Sequence, residues 1–367
     1  MDHVTPNGQT NTAMTVALED CIMQKGKPAT AGSKILENFV APFDATVIDR
    51  LRAGGVAIAG QANMCEFGIG MTTAPEGLSG AVKAVADGLA PLALGSDIFG
   101  VSRRMAAENG LFYIHPTYGT VSRYGLIPSA CSMDQIGVAC RNLTEGFKLL
   151  SVIAGHDEKD GAMFPGTSYT YAKEDRKITV GLPSDIIGRA GKTGDGVCAF
   201  AAAFNTADME LPLFDMGKQV MAILSSAEIN NNISRYDGIK FGARTEQYRT
   251  LNDLYLNTRT ECFGLETKLT AMIGAMVLSQ DQYVPYYEKA MKVRRLIRDS
   301  LRFDGYDVIA LPAAIGDDTY ENLSLYALAP LAGLPSIAFS CQGQGIQLIA
   351  NVKDENALLT AWEVYGR

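Results

Sequence analysis

Hydrolytic chemistry needs a base, an activated nucleophile or a metal set, and this chain offers few of the familiar ones. Its only histidines are His3, His115 and His156. His3 lies in a polar N-terminal stretch and His156 in a Gly-His-Asp-Glu-Lys run, which leaves little material for a Ser-His-Asp triad or a His-rich metal site. The seven cysteines, at 21, 65, 131, 140, 198, 262 and 341, are scattered and show no Cys-x-x-Cys pair. They read as buried thiols of a reducing compartment. Cys65 and Cys198 have no histidine nearby in sequence to activate them, so buried, inert thiols are expected. Gly188-Arg189-Ala190-Gly191-Lys192-Thr193 ends like a phosphate-binding loop. The glycine that such a loop needs five residues before Gly191 is replaced by Ile186, so a polar surface turn is expected. Lys83 lies four residues beyond Ser79, and Glu19 is followed by Asp20. Each pair could do acid–base work, but each is also common on a solvated surface.

The elements that must position such groups follow from pattern. Asp44 can cap a helix carrying Val47, Ile48 and Leu51, stopped by Gly54-Gly55. A buried strand over 56–59 follows, then a small-residue helix over about 79–87 and a strand over 91–94 that runs into Gly95-Ser96-Asp97. A helix over 143–154 and a strand over 177–181 come next. The stretch 184–196 reads as loop. Long helical patterns cover about 217–232 and 246–302, the second with Lys292, Arg294, Arg295 and Arg298 around Val293, Leu296 and Ile297. That basic run reads as a solvated amphipathic face rather than a nucleic-acid surface. Strands over 306–311, 336–340 and 345–350 and a helix over 354–364 close the chain. Residues 1–12 are expected to be flexible and 13–367 to form one α/β domain with a mixed sheet.

Composition agrees with a large folded core. Hydrophobic residues make up 47% and charged residues 20%, and 32 basic against 40 acidic residues give a net charge of −8. Neither disorder nor direct nucleic-acid binding fits that balance. No uninterrupted apolar run is long enough for a membrane helix, and the N-terminus lacks the features of a signal peptide. A cytoplasmic protein is expected.

One set of strings is far more specific than any single motif. It runs through 16–21, 30–39, 60–67, Gly88 to Asp97 and Pro116 to Leu126. It resumes at Met133 to Gly137, Ala154 to Asp157, Ser234 to Ile239, Thr258-Arg259, Phe263-Gly264, Lys292 to Arg294, Ala332 to Pro335 and Gln347 to Ile349. In this order the strings resemble the amidase signature family, specifically the A subunit of the glutamyl-tRNA(Gln)/aspartyl-tRNA(Asn) amidotransferase, over nearly the whole chain. The resemblance implies an α/β/α sandwich with a large mixed sheet covered by helices on both faces.

It also implies a chemistry whose parts have changed here. Family members activate a nucleophilic serine through a second serine, held in a cis peptide, and a neutral lysine, while backbone N–H groups bind the oxyanion. The lysine position holds Glu19, the cis-serine position Gly77 and the nucleophile position Val101. Ile98, Phe99 and Gly100 occupy the oxyanion loop, where Phe99 replaces a glycine and is expected to add bulk and restrict the backbone. Ser102 is the nearest substitute nucleophile, with Ser79 and Ser96 behind it. A one-residue shift should turn its side chain elsewhere. In the glutamine pocket the family's tyrosine falls at Met221, in a segment read as a strand over 220–224. Its arginine falls near Lys268, which lacks the bidentate fork for a carboxylate, and its aspartate near Leu323. The family's N-terminal helical region and part of the segment before the serine loop are missing.

These departures imply a non-catalytic scaffold or regulatory homologue, with no cofactor and no metal. Two alternatives stay open. One is a divergent amidase or glutaminase subunit supplying ammonia to Glu-tRNA(Gln) transamidation through rearranged residues. The other is a small-molecule binding module whose vacated pocket is made apolar by Phe99, Val101 and Met221. The partners implied are the B and C subunits of the amidotransferase, or a full-length A subunit.

Overall fold

The structure, a computed structural model, describes residues 14–72, 79–165, 169–240 and 242–366. The segment 1–12 and Gly77 lie outside the described residues. Ten strands form one mixed sheet: β1 (Thr15–Glu19), β2 (Ala57–Ala62), β3 (Leu92–Ser96), β4 (Phe112–His115), β5 (Ile136–Cys140), β6 (Thr179–Leu182), β7 (Asn205–Asp208), β8 (Val308–Pro312), β9 (Ser336–Cys341) and β10 (Gln344–Ala350). Their order is β2-β1-β3-β5-β4-β9-β10-β8-β6-β7. The flanks β2-β1-β3 and β8-β6-β7 pair in parallel, and the centre is antiparallel. Central strands such as β5 and β8 are buried along their whole length, as expected where both faces are covered.

The two faces can be read from β4. Tyr113 points one way and its hydroxyl donates to the Gly95 carbonyl at 2.9 Å. Ile114 points the other way, toward Gly146 of α4 (Leu143–Ile153), whose missing Cβ would sit 2.9 Å from its Cδ1. Helices α2 (Gly80–Ala86) and α3 (Val101–Glu108) cover the Tyr113 side, α3 against β4, β9 and β10. With α4 on the Ile114 side pack α1 (Thr46–Ala53) and α12 (Glu355–Tyr365).

Several expected boundaries shift. Asp44 does not cap α1; Ala45 does so without a side-chain bond. Asp44 instead accepts from the Lys25 N–H at 2.8 Å and pairs with Arg52 at 2.5 Å. The stretch 184–196 is not a loop but two helices, α5 (Ser184–Arg189) and α6 (Lys192–Ala201). The strand expected over 220–224 lies inside helix α7 (Gly217–Ile233). The helix expected over 246–302 divides into α8 (Leu251–Cys262), α9 (Leu265–Val277), a π-helical turn over Tyr283–Glu288 and α10 (Lys289–Ser300). Phe263 and Gly264 are extended between α8 and α9. Pro285, which has no N–H to donate, sits in the π turn. Helix α11 (Thr319–Ala332) continues through Pro330. On α10 Ile297 is buried, whereas Arg294 donates to the Leu331 carbonyl and to Ser132. Among the described residues no helix is long and apolar enough to cross a membrane.

Candidate functional site

Parallel pairing of β1 with β3 places the last residue of β1, Glu19, beside the end of β3. Its carboxylate is fully buried. One oxygen accepts from the Ser79 hydroxyl at 2.7 Å and the Ala81 N–H at 3.2 Å; the other accepts from the Ser96 N–H at 2.9 Å. Gly95 makes the room: a Cβ there would lie 2.5 Å from Oε2 of Glu19. Ser79 precedes α2, so the carboxylate also meets the positive end of a helix. Burial nevertheless pushes the Glu19 carboxyl up to about 7, against the three hydrogen bonds that hold it down, with the Asp20 charge adding to the rise. Asp20 is itself raised by burial and accepts from the Thr30 hydroxyl.

The chain of hydroxyls extends one step further. Ser102, in the first turn of α3, donates from its Oγ to the Ser79 Oγ at 2.7 Å. The order of donors is therefore Ser102 to Ser79 to Glu19. The structure thus joins three residues singled out in the sequence, Glu19, Ser79 and Ser102. The sequence named Ser79 through its spacing to Lys83, but Lys83 pairs with Asp87 at 2.7 Å and the Ser79 hydroxyl turns inward to Glu19. Ser102 and Ser79 are both buried, at 1% and 3% exposure.

The loop between β3 and α3 is held from below. Asp97 accepts from the Ser102 and Arg103 N–H groups and pairs with the Arg103 guanidinium at 2.7 Å, all buried. Arg103 also donates to Gln347 of β10 and lies over the Tyr326 ring. Ile98 and Phe99 are buried, and Phe99 keeps an ordinary negative φ. The positive φ that the turn needs falls on Gly100, at 82°. A Cβ at Gly100 would meet the Tyr326 ring at 2.1 Å, so both backbone and space demand glycine. Val101 begins α3 and presents an almost buried aliphatic side chain.

The expected pocket positions lie on three helices. Met221 of α7 and Leu323 of α11 are buried core residues. Lys268 of α9 lies in an open cleft of about 410 Å³ lined with α8 residues, including Leu256 and Arg259, and its Nζ donates to the Thr260 carbonyl. The Gly188–Thr193 run bridges α5 and α6 at the surface over the buried Ile186. Burial pushes the Cys65 thiol up to about 12, which keeps it protonated near neutral pH, but the expectation of buried thiols fails at Cys131 and Cys198, which are exposed. His115 is buried in β4, and burial with the nearby Arg103 charge holds it well below the usual histidine range.

This fold is shared with known proteins. The family model described as "Amidase" matches residues 12–83 and 77–359. The chain belongs to the amidase family. Among curated amidase-family proteins it is 37% identical, over 89% of its length and 74% of the relative's, to the A subunit of glutamyl-tRNA(Gln) amidotransferase from Lachnoclostridium phytofermentans. The Burkholderia pseudomallei A subunit is 34% identical over 100% of this chain and 86% of that protein. The crystal structure of the Thermotoga maritima A subunit is 26% identical, with a TM-score of 0.76 over 98% of this chain and 85% of that one. This amidase-family chain thus resembles the A subunit in both sequence and fold.

Proposed function

We propose that this chain is a non-catalytic amidase-family member, a scaffold or regulatory homologue of the A subunit of glutamyl-tRNA(Gln) amidotransferase. One observation carries the reading. Where the resemblance puts the catalytic lysine, the chain has Glu19, and its carboxylate is bonded by Ser79, Ala81 and Ser96 inside the core. Val101 at the nucleophile position supports it, since an aliphatic side chain cannot attack a carbonyl. Residues 13–367 act as one domain in this reading, in the cytoplasm, where seven free thiols stay reduced. The relatives are named as subunits, which supports work in an assembly with B and C subunits or with a full-length A subunit.

Ammonia release from glutamine, asparagine and a panel of small amides tests the reading. The expected rate equals that of buffer. A turnover that disappears in Ser102→Ala would overturn it and favour a second reading, for which the Ser102–Ser79–Glu19 chain is the specific support. In that reading the Ser102 proton passes to Ser79 as the Ser79 proton passes to Glu19, which leaves Ser102 able to attack the amide carbonyl. The rate would then rise with pH through about 7, as Glu19 becomes the ionised acceptor. A flat profile, or no acylation of Ser102 by a fluorophosphonate, removes this second reading.

A further inference from the structure

Helix α9 is built inside out. Positions 265, 269, 272, 273 and 276 fall on one stripe of a helix with 3.6 residues per turn. The stripe consists of Leu265, Leu269, Met272, Ile273 and Met276, and it faces solvent, with Leu265 75% and Met272 69% exposed. The buried side carries Thr267, Thr270, Gly274 and Val277. These small residues bring α9 close to α7: a Cβ on Gly274 would lie 2.1 Å from the Ser226 carbonyl oxygen. Turning the stripe inward would drive leucine and methionine into that backbone, so the apolar face is fixed outward. Single exposed apolar side chains are ordinary, but five on one face of a helix about 20 Å long form a patch that needs a cover.

The surroundings say what kind. Beside the stripe opens the α8–α9 cleft of about 410 Å³, with Leu256, Arg259 and Lys268 in its lining. Lys268 donates to the Thr260 carbonyl, and Arg259 to the carbonyls of Ser234 and Tyr236. Both positive charges are thus met by neutral backbone oxygens. On the opposite edge the Glu266 carboxylate is engaged by the Met71 and Thr72 N–H groups at 2.7 and 2.9 Å. The rim facing the cleft is therefore cationic.

We propose that α9 and this cleft form a docking groove for an amphipathic helix of a different protein. Its apolar side chains cover the Leu265–Met276 stripe, and its acidic side chains enter the cleft against Arg259 and Lys268. A second copy docking α9 on α9 would bring the same cationic rim to itself, with Glu266 already bonded, so charge favours a heterologous partner. The proposal holds whether or not the chain hydrolyses amides.

Two fluorescent helical peptides of about 14 residues, matched in length to α9, test it on the full chain at low salt. They share a Leu/Ala face and differ only in rim, Glu in one and Lys in the other. By fluorescence anisotropy the Glu-rim peptide should bind at least about tenfold tighter. Met272→Glu should remove binding and Lys268→Glu should erase the rim preference, both with an unchanged melting temperature. If Met272→Glu lowers the melting temperature, Leu269→Ser replaces it. Absence of binding, equal affinity for the two rims, or binding indifferent to the stripe variants would overturn the proposal. A concentration-dependent dimer in sedimentation velocity, abolished by Met272→Glu, would overturn it too and assign the stripe to a second copy.

Discussion

At the scale of single residues, Glu19 is more than a lost lysine. Its oxygens receive two backbone N–H groups and a hydroxyl. A lysine put back alone would set donors against donors, so Glu19→Lys should not restore family chemistry. The price of this arrangement is a carboxyl held in the interior. Its folded value of about 7 lies above the ordinary 4.5, so the fold favours the protonated form. The associated stability is fully present below about pH 4.5 and is lost as pH rises through 7, in total about 3 kcal/mol. Glu19→Gln, neutral at every pH and of similar volume, removes that titration. Urea denaturation between about pH 4.5 and 7.5 should therefore show wild type losing up to about 3 kcal/mol relative to the variant. Asp134, also raised by burial to about 6, titrates in both proteins and cancels in the comparison. A wild-type-to-variant gap that stays constant over this range would refute the assignment.

At the scale of elements, the loop from β3 into α3 keeps its conformation through the left-handed Gly100 and through a buried ion pair between its first residue, Asp97, and Arg103 of α3. Asp97 fastens the first turn of α3, and Arg103 fastens α3 to β10 and α11 through Gln347 and Tyr326. Removing Asp97 leaves a guanidinium at 0% exposure without a counter-charge. Asp97→Ala should cost about 3–5 kcal/mol, and Asp97→Ala with Arg103→Met should recover much of it, because no unpaired charge remains. Chemical denaturation of both variants checks this; equal losses in the single and the double variant would contradict it. This ion pair was not legible in the sequence, because nothing in the run from Asp97 to Arg103 says that both side chains turn inward. The stretch 184–196 was misread for a related reason. Its glycines resemble turn residues, yet Gly194 and Gly196 sit inside α6, where a Cβ would come within 2.5 Å of the Ile187 carbonyl and 2.6 Å of the Gln344 Cβ. Close packing, not chain reversal, demands glycine there. By contrast α4 was legible, since Leu143, Phe147, Leu150 and Ile153 carry a helical period and all are buried.

At the scale of the whole molecule, what the ordered family strings did convey was topology, because several of them fall on strands of one sheet, β1, β2, β3, β5 and β10. What they could not convey was convergence: Glu19, Ser79 and Ser102 are separated by 60 and 23 positions and meet only in three dimensions. The same sheet leaves no seam between the two halves of the sequence. Strand β4 pairs with both β5 and β9, and Arg103 reaches Gln347. The sole tryptophan reports on that junction. Trp362 of α12 packs edge-on against Phe112 of β4 at 4.7 Å and Phe339 of β9 at 5.1 Å between ring centroids. If 13–367 is one cooperative unit, Trp362 fluorescence and far-UV circular dichroism should trace the same urea transition. Ser102→Ala, which removes the end of the hydroxyl chain on the N-terminal side, should move both midpoints together. A Trp362 transition separated from the loss of secondary structure would instead show the β4–β9 junction unfolding apart from the rest of the chain, and would refute a single cooperative unit.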